Sequence, residues 1–225
     1  MGRAGRIGKR TFDLVFGVIL LIPTVPLMIW TAWRIWREDG RPVIYATQRI
    51  GQHGAPFTQY KFRTMVQQAG PEQGVSGGDK AHRITPLGAR LRAARLDELP
   101  QMLNVLNGTM SFVGPRPPAP QYAERFPAVY DEVLQMKPGI TGLATVMFHV
   151  HEEWILKDTA SADETDALYV RRCVPRKAML DRLYRQNWSI WLDLYLIYLT
   201  LGKGFRWPGA RLARMRKRAA RLRGS

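Results

Sequence analysis

Between Asp13 and Arg34 the chain carries no charged residue, and the run around that gap, FDLVFGVILLIPTVPLMIWTAWRIW from Phe12 to Trp36, constrains everything else it can fold into. The run meets the roughly 20-residue length that crosses the hydrocarbon core of a bilayer. It is too long for the apolar region of a signal peptide, and no small-residue cleavage site follows it, so it is expected to stay in the mature protein. Two features distinguish it from a simple span. Pro23 and Pro26 sit at its middle, where each removes a backbone donor and clashes with the preceding turn. Arg3, Arg6, Lys9 and Arg10 precede it and Arg34, Arg37 and Arg41 follow it, so both flanks satisfy the preference of basic residues for the cytoplasmic side. A re-entrant helix hairpin over residues 11–37, bent at Pro23 and Pro26 and leaving by the face it entered, satisfies both observations.

The remaining sequence bounds the fold class. Across 225 residues the net charge is +16 with 46% apolar residues, a balance that fits neither a disordered chain nor an ordinary soluble domain and calls for an anionic partner. The length supports one core, hence a single domain over 1–225. The lone Cys173 excludes an internal disulfide and a cysteine-based zinc cluster.

Past Arg41 the pattern becomes β-prone. PVIYATQRIG and PFTQYKFRTM flank Gln52-His53-Gly54-Ala55 and predict a small β-hairpin. Residues 66–80 are glycine-rich and polar, a loop. Arg83 to Arg95 predicts a basic helix, and a second helix is expected from Asp97 to the Asn107-Gly108 stop. Val113 to Pro118 is expected to be extended, Tyr122 to Met136 helical and Lys137 to Gly142 a turn. His149, His151 and Glu152 lack the further spaced ligands of a metal site, so residues 149–153 are expected to form a polar loop.

Trp188 to Leu201 is apolar but too short to span, and Trp188, Trp191, Tyr195 and Tyr198 suit a lipid headgroup boundary. The whole reads as a helix-rich α+β, membrane-associated monotopic protein with interfacial amphipathic helices, its cytosolic part over 41–201 and a basic tail over 203–225. That tail holds nine cations, from Lys203 to Arg223, and no acidic residue. Beside an interfacial helix it reads as a contact for anionic membrane lipid. The competing class is a non-catalytic basic membrane or nucleic-acid binding protein, but only Trp207 is interleaved with the tail's cations as a stacking platform, so no nucleic acid is expected.

One acidic pair, Asp97-Glu98, stands among cations: Arg92 and Arg95 before it, Arg116 in a proline-stiffened turn after it and Lys61 in the hairpin. Carboxylates at a helix start ordinarily serve free backbone donors. Cations on rigid supports around them instead suit a phosphate-bearing substrate with a bound divalent metal.

Lys61-Phe62-Arg63-Thr64-Met65, Leu96-Asp97-Glu98-Leu99-Pro100-Gln101, Ser111-Phe112-Val113-Gly114-Pro115-Arg116-Pro117 and Lys137-Pro138-Gly139-Ile140-Thr141-Gly142 stand in the order seen in the bacterial sugar transferase family. Lys9-Arg10 with Asp13 resembles the amino end of these small monotopic phosphoglycosyl transferases. Asp181, Tyr184, Ser189, Asp193 and Thr200 resemble their closing helix, so the resemblance covers roughly residues 9 to 201. It implies that Asp97 attacks the β-phosphate of a UDP-sugar, that polyprenyl phosphate then collects the phosphosugar, that Glu98 holds Mg²⁺, and that Lys61, Arg92 and Arg116 bind phosphate oxygens. It further implies the bacterial inner membrane with the site on its cytoplasmic face, initiation of exopolysaccharide or glycoconjugate synthesis, and compatibility with a homodimer. Two departures limit what carries over. Val25 stands before Pro26 where the family often has Ser, with Thr24 the nearest hydroxyl. Residues 143–153 depart from the family pattern, so sugar and nucleotide selectivity do not transfer.

Overall fold

The computed structural model describes residues 2–67, 75 and 77–201. The basic tail at 203–225 and most of the glycine-rich loop lie outside the described residues. The first element, α1 (Arg3–Glu38), runs as one continuous helix through Pro23 and Pro26. Its buried positions Lys9, Asp13, Gly17, Thr31 and Ile35, with half-buried Phe16, Leu20, Thr24 and Met28 between them, recur at helical spacing and form one stripe. The opposite face carries exposed Val15, Val18, Ile22, Ile29, Trp33 and Trp36. A soluble helix places its apolar face inward, whereas this helix docks through a stripe containing Lys9, Asp13 and Thr31 and presents its largest aliphatic and aromatic side chains outward, which suits lipid rather than water.

Strands β1 (Ile44–Ile50) and β2 (Pro56–Phe62) form the expected antiparallel hairpin, with Tyr45 opposite Lys61 and Thr47 opposite Gln59. The turn passes through His53 and Gly54, both in the left-handed region. Helix α2 (Pro86–Ala94) begins as its sequence dictates, with Pro86 in the first turn and the Thr85 hydroxyl accepting from the Gly88 N–H. It ends at Arg95, whose φ of 56° is left-handed.

Asp97 therefore opens no regular α-helix. Residues Leu96–Gln101 form a 3₁₀ segment containing Pro100, and α3 (Met102–Asn107) follows, closed by left-handed Gly108. The predicted 122–136 helix divides into α4 (Pro120–Arg125) and α5 (Pro127–Val133), because a proline disfavours helical geometry in the residue before it and Phe126 sits at φ −131°, ψ 57°.

Two further corrections concern residues 137–156. The expected turn at 137–142 contains β4 (Gly139–Thr141), which pairs in parallel with β3 (Ser111–Val113). The expected polar loop at 149–153 is instead part of α6 (Leu143–Leu156), whose Leu143, Ala144, Phe148 and Leu156 are buried on one face. Helix α7 (Ala162–Leu168) is capped by the Ser161 hydroxyl and passes through a π-turn at Tyr169–Cys173 into α8 (Val174–Gln186); α9 (Ile190–Leu201) closes the described chain.

The main core joins β3, α6, α8 and α9 through Val113, Leu143, Phe148, Leu183, Tyr184, Leu192 and Leu196. A smaller cluster of Ile35, Phe62, Leu87 and Leu91 fastens the far end of α1 to the hairpin and α2. The near end is fixed by polar groups: Lys9 Nζ donates to Asp193 Oδ2 at 2.6 Å, and Asp13 accepts from Ser111 Oγ and the Phe112 N–H. Both ends of α1 thus dock on the same globular body.

Candidate active site

The hairpin presents alternate residues to one face, so Tyr45, Thr47 and Arg49 on β1 and Gln59 and Lys61 on β2 line a common wall. Two helices supply further walls at helical spacing: Thr145, His149, Glu152 and Leu156 from α6, and Val174, Lys177, Ala178 and Asp181 from α8. Between these walls lies a cavity of about 340 Å³ into which Arg92, Arg95, Asp97, Glu98 and Arg116 also project. The expected residues Lys61, Arg92, Asp97, Glu98 and Arg116 therefore meet in one cavity. Pro23 and Pro26 do not; they lie on the exposed side of α1.

Glu98 is the anchor of the charge cluster. Its Oε1 faces Lys61 Nζ at 3.5 Å and Arg116 Nη1 at 3.4 Å, and its Oε2 accepts from Arg95 Nη2 at 2.5 Å. Burial disfavours its charge, but Lys61, Arg116 and Arg95 outweigh burial and pull its carboxyl down to about 2. Arg95 reaches Glu98 because its left-handed backbone doubles the chain back, a conformation that costs a non-glycine residue on the order of 1 kcal/mol or more.

Asp97 is buried yet forms no hydrogen bond or ion pair among the described residues. Burial and the charge of Glu98 push its carboxyl above the ordinary range, opposed by Lys61, Arg92 and Arg95. Lys61 is pulled down to about 8 by burial, against the attraction of Glu98. Arg92 is oriented by donating from Nε to the Thr64 hydroxyl at 3.0 Å. Four cations against two carboxylates leave this end of the cavity with a surplus of two positive charges, which suits a diphosphate.

Arg116 gains its place from the pairing of two motifs whose strand partners lie 28 residues apart. The Gly114 N–H donates to Thr141 O at 2.9 Å and the Gly139 N–H to Pro115 O at 2.8 Å. A Cβ on Gly139 would lie 2.1 Å from the Gly114 nitrogen, and one on Gly142 would lie 2.0 Å from the Gly114 oxygen, so only glycine allows this approach.

No cluster of three or more potential metal ligands occurs among the described residues. Glu98 is the carboxylate that could take part in holding Mg²⁺, an ion that commonly takes only one or two carboxylates and completes its shell with substrate phosphates and water. The sequence placed Arg95 among the cations around the acidic pair without a particular bond, and did not place Lys177 or Asp181 in the site. The i, i+4 spacing of Lys177 and Asp181 on one helix face was the available signal.

The chain belongs to the bacterial sugar transferase family, which it matches over residues 4–207. It is 35% identical over 223 residues to the undecaprenyl-phosphate galactose phosphotransferase of Salmonella typhimurium, covering 92% of this chain and 42% of that protein. It is 38% identical over 200 residues to the UDP-glucose:undecaprenyl-phosphate glucose-1-phosphate transferase of Caulobacter vibrioides, covering 86% of this chain and 68% of that one. Against the uncharacterized sugar transferase EpsL of Bacillus subtilis identity is 34% over 195 residues, covering 87% and 86%. The chain thus spans less than half of the Salmonella relative and most of EpsL.

Proposed function

We propose that this chain transfers a sugar 1-phosphate from a UDP-sugar to undecaprenyl or another polyprenyl phosphate through an intermediate on Asp97. The observation that carries the reading is Asp97 itself, a buried carboxyl with no hydrogen bond or ion pair among the described residues, set beside four cations in one cavity. In the first step an Asp97 carboxylate oxygen bonds to the β-phosphorus. The bond from that phosphorus to the bridging oxygen breaks, and UMP departs with the bridging oxygen and its electron pair. In the second step a phosphate oxygen of the polyprenyl phosphate bonds to the same phosphorus, the acyl phosphate bond breaks, and the Asp97 carboxylate is restored.

Lys61, Arg92 and Arg116 neutralise the phosphate oxygens and fix the phosphorus in line with Asp97, the contribution on which phosphoryl transfer chiefly depends. Arg95 keeps Glu98 ionised and in place. Glu98 would hold Mg²⁺, which would supply further charge neutralisation at the diphosphate. The names of the relatives, with their undecaprenyl-phosphate acceptors and, for Caulobacter, UDP-glucose donor, support this choice of substrates.

The outward apolar face of α1 and the docking of both its ends on one body support residence in the cytoplasmic membrane of a bacterium, with α1 re-entrant and the site on the cytoplasmic face. The test is Asp97→Asn assayed for UMP release from UDP-sugars with polyprenyl phosphate and Mg²⁺. Turnover should fall by on the order of 10³-fold or more with the melting temperature retained. Mass spectrometry of the parent protein with donor alone should show a phosphosugar on the peptide containing Asp97. Undiminished turnover in the variant would remove Asp97 from the mechanism.

A further inference from the structure

The α8 wall of the cavity carries a carboxyl for which phosphate chemistry has no use. Asp181 is 6% exposed, and its Oδ1 is fully buried without a hydrogen-bond partner among the described residues. It shares the cavity-lining face of α8 with Val174, Lys177 and Ala178. The charged and titratable groups around it are Lys177 and Tyr184 on α8 and Tyr130 on α5. Lys177 is already engaged, donating to Glu152 Oε1 at 2.9 Å and to the Tyr169 hydroxyl at 3.2 Å. Burial pushes the Asp181 carboxyl up to about 8, against the pull of Lys177. A buried acceptor left without a donor costs stability, and its persistence calls for a ligand that supplies the donor.

The chemistry of that ligand follows. What is unpaired is an acceptor oxygen, and a diphosphate offers only acceptors and negative charge, so it cannot supply the donor that Oδ1 lacks. The uncharged rings on either side of a nucleotide sugar's diphosphate offer hydroxyl donors, and the aromatic groups of Tyr122, Tyr130 and Tyr169 line the same cavity. We propose that Asp181, beside Tyr130 in the catalytic cavity, accepts hydrogen bonds from hydroxyls of a sugar ring of the donor substrate, hexosyl or ribosyl, and so takes part in selecting it. This rests on the UDP-sugar reading above.

The full-length protein carries the test. Asp181→Leu removes the acceptor on the same branched skeleton, and Asp181→Asn keeps one acceptor oxygen at similar volume. Binding of UDP-glucose, UDP-galactose and UMP is measured by calorimetry in the Asp97→Asn background, which needs no turnover, and KM and kcat are measured with Asp97 intact. Asp181→Leu should weaken donor binding by roughly 10-fold or more, with Asp181→Asn between it and the parent, and raise KM more than it lowers kcat. Weaker binding of the UDP-sugars with unchanged UMP binding assigns the contact to the hexosyl ring. Equal weakening for UMP assigns it to the ribose.

Both variants should melt no lower than the parent, because an unpaired buried acceptor is removed or replaced by a group that cannot ionise in the unfolded chain. A lower melting temperature with unchanged affinities would overturn the proposal and make Asp181 a structural group. Absence of UMP release by the parent protein from every UDP-sugar in a panel would instead overturn the donor reading, and this inference with it.

Discussion

Three buried carboxyls in one cavity differ in charge because they differ in company. Glu98 has three cations and stays ionised to about pH 2; Asp181 is drawn mainly by one lysine already bonded elsewhere and holds its proton up to about pH 8. The stability consequences have opposite signs. The folded-state value of Glu98 lies below its ordinary 4.5, so its contribution is complete above that pH and is lost as pH falls towards 2. Glu98→Gln should therefore cost on the order of 3 kcal/mol in denaturant unfolding at pH 7, with the difference from the parent shrinking below pH 4.

Asp181 lies above its ordinary 3.8, so the folded state holds a proton that the unfolded chain has released, and stability declines as pH rises from about 4 to about 8. Asp181→Asn should gain on the parent progressively over that window, by a few kcal/mol at pH 8 in the same measurement. The acidic pair and its flanking cations were legible because their spacing is local and their charge is conspicuous. The role of Arg95 was not, since it depends on a left-handed residue that is not glycine, and Asp181 enters the site only when α8 packs across from the hairpin.

At the scale of elements, the site depends on two close backbone approaches. Gly88 in α2 is buried against the strand end that carries Thr64, where a Cβ would lie 2.1 Å from the Thr64 oxygen. Gly139 holds β4 against β3 in the same manner. Gly139→Ala should force these short strands apart and carry Arg116 away from Glu98, destabilising the protein by about 1 to 3 kcal/mol, the usual cost of overpacking. The loss of kcat/KM should exceed what the unfolded fraction explains, as read by UMP release below the unfolding transition.

The hairpin was legible because its alternating β-prone runs flank a glycine-containing turn. The β3–β4 pair was not, because three-residue strands bounded by proline and glycine have no readable period, and their partners lie 28 residues apart. The division of α4 from α5 was marked by Pro127, and α6 was concealed by the polar residues among 149–153, of which His149 and Glu152 line the cavity and His151 is exposed.

The molecule as a whole is organised around a helix turned inside out. At about 1.5 Å per residue the 36 residues of α1 measure about 54 Å along the helix path, more than one bilayer core requires. Contacts recur along that length: Lys9 to Asp193, Arg10 to the carbonyls of Val105 and Leu106, Gly17 against Leu106 and Phe112, Thr24 to Met102, and Ile35 in the cluster with Phe62. The stripe therefore meets the globular body from the first turns of the helix to its last. Its charge-free run was legible in the sequence, but the run alone did not reveal that the docking stripe includes Lys9 and Asp13.

The orientation can be read with thiol labelling, since Cys173 is fully buried and burial pushes its thiol up to about 11, making it a silent background. Gly2→Cys reports the helix start and Ala160→Cys the globular body, both at exposed positions. With a membrane-impermeant maleimide both should label in inverted inner-membrane vesicles and neither in intact spheroplasts. Labelling of Gly2→Cys in spheroplasts while Ala160→Cys stays protected would mean that α1 crosses the bilayer. The contacts of Lys9 and Arg10 with the globular body would then have to break in the membrane.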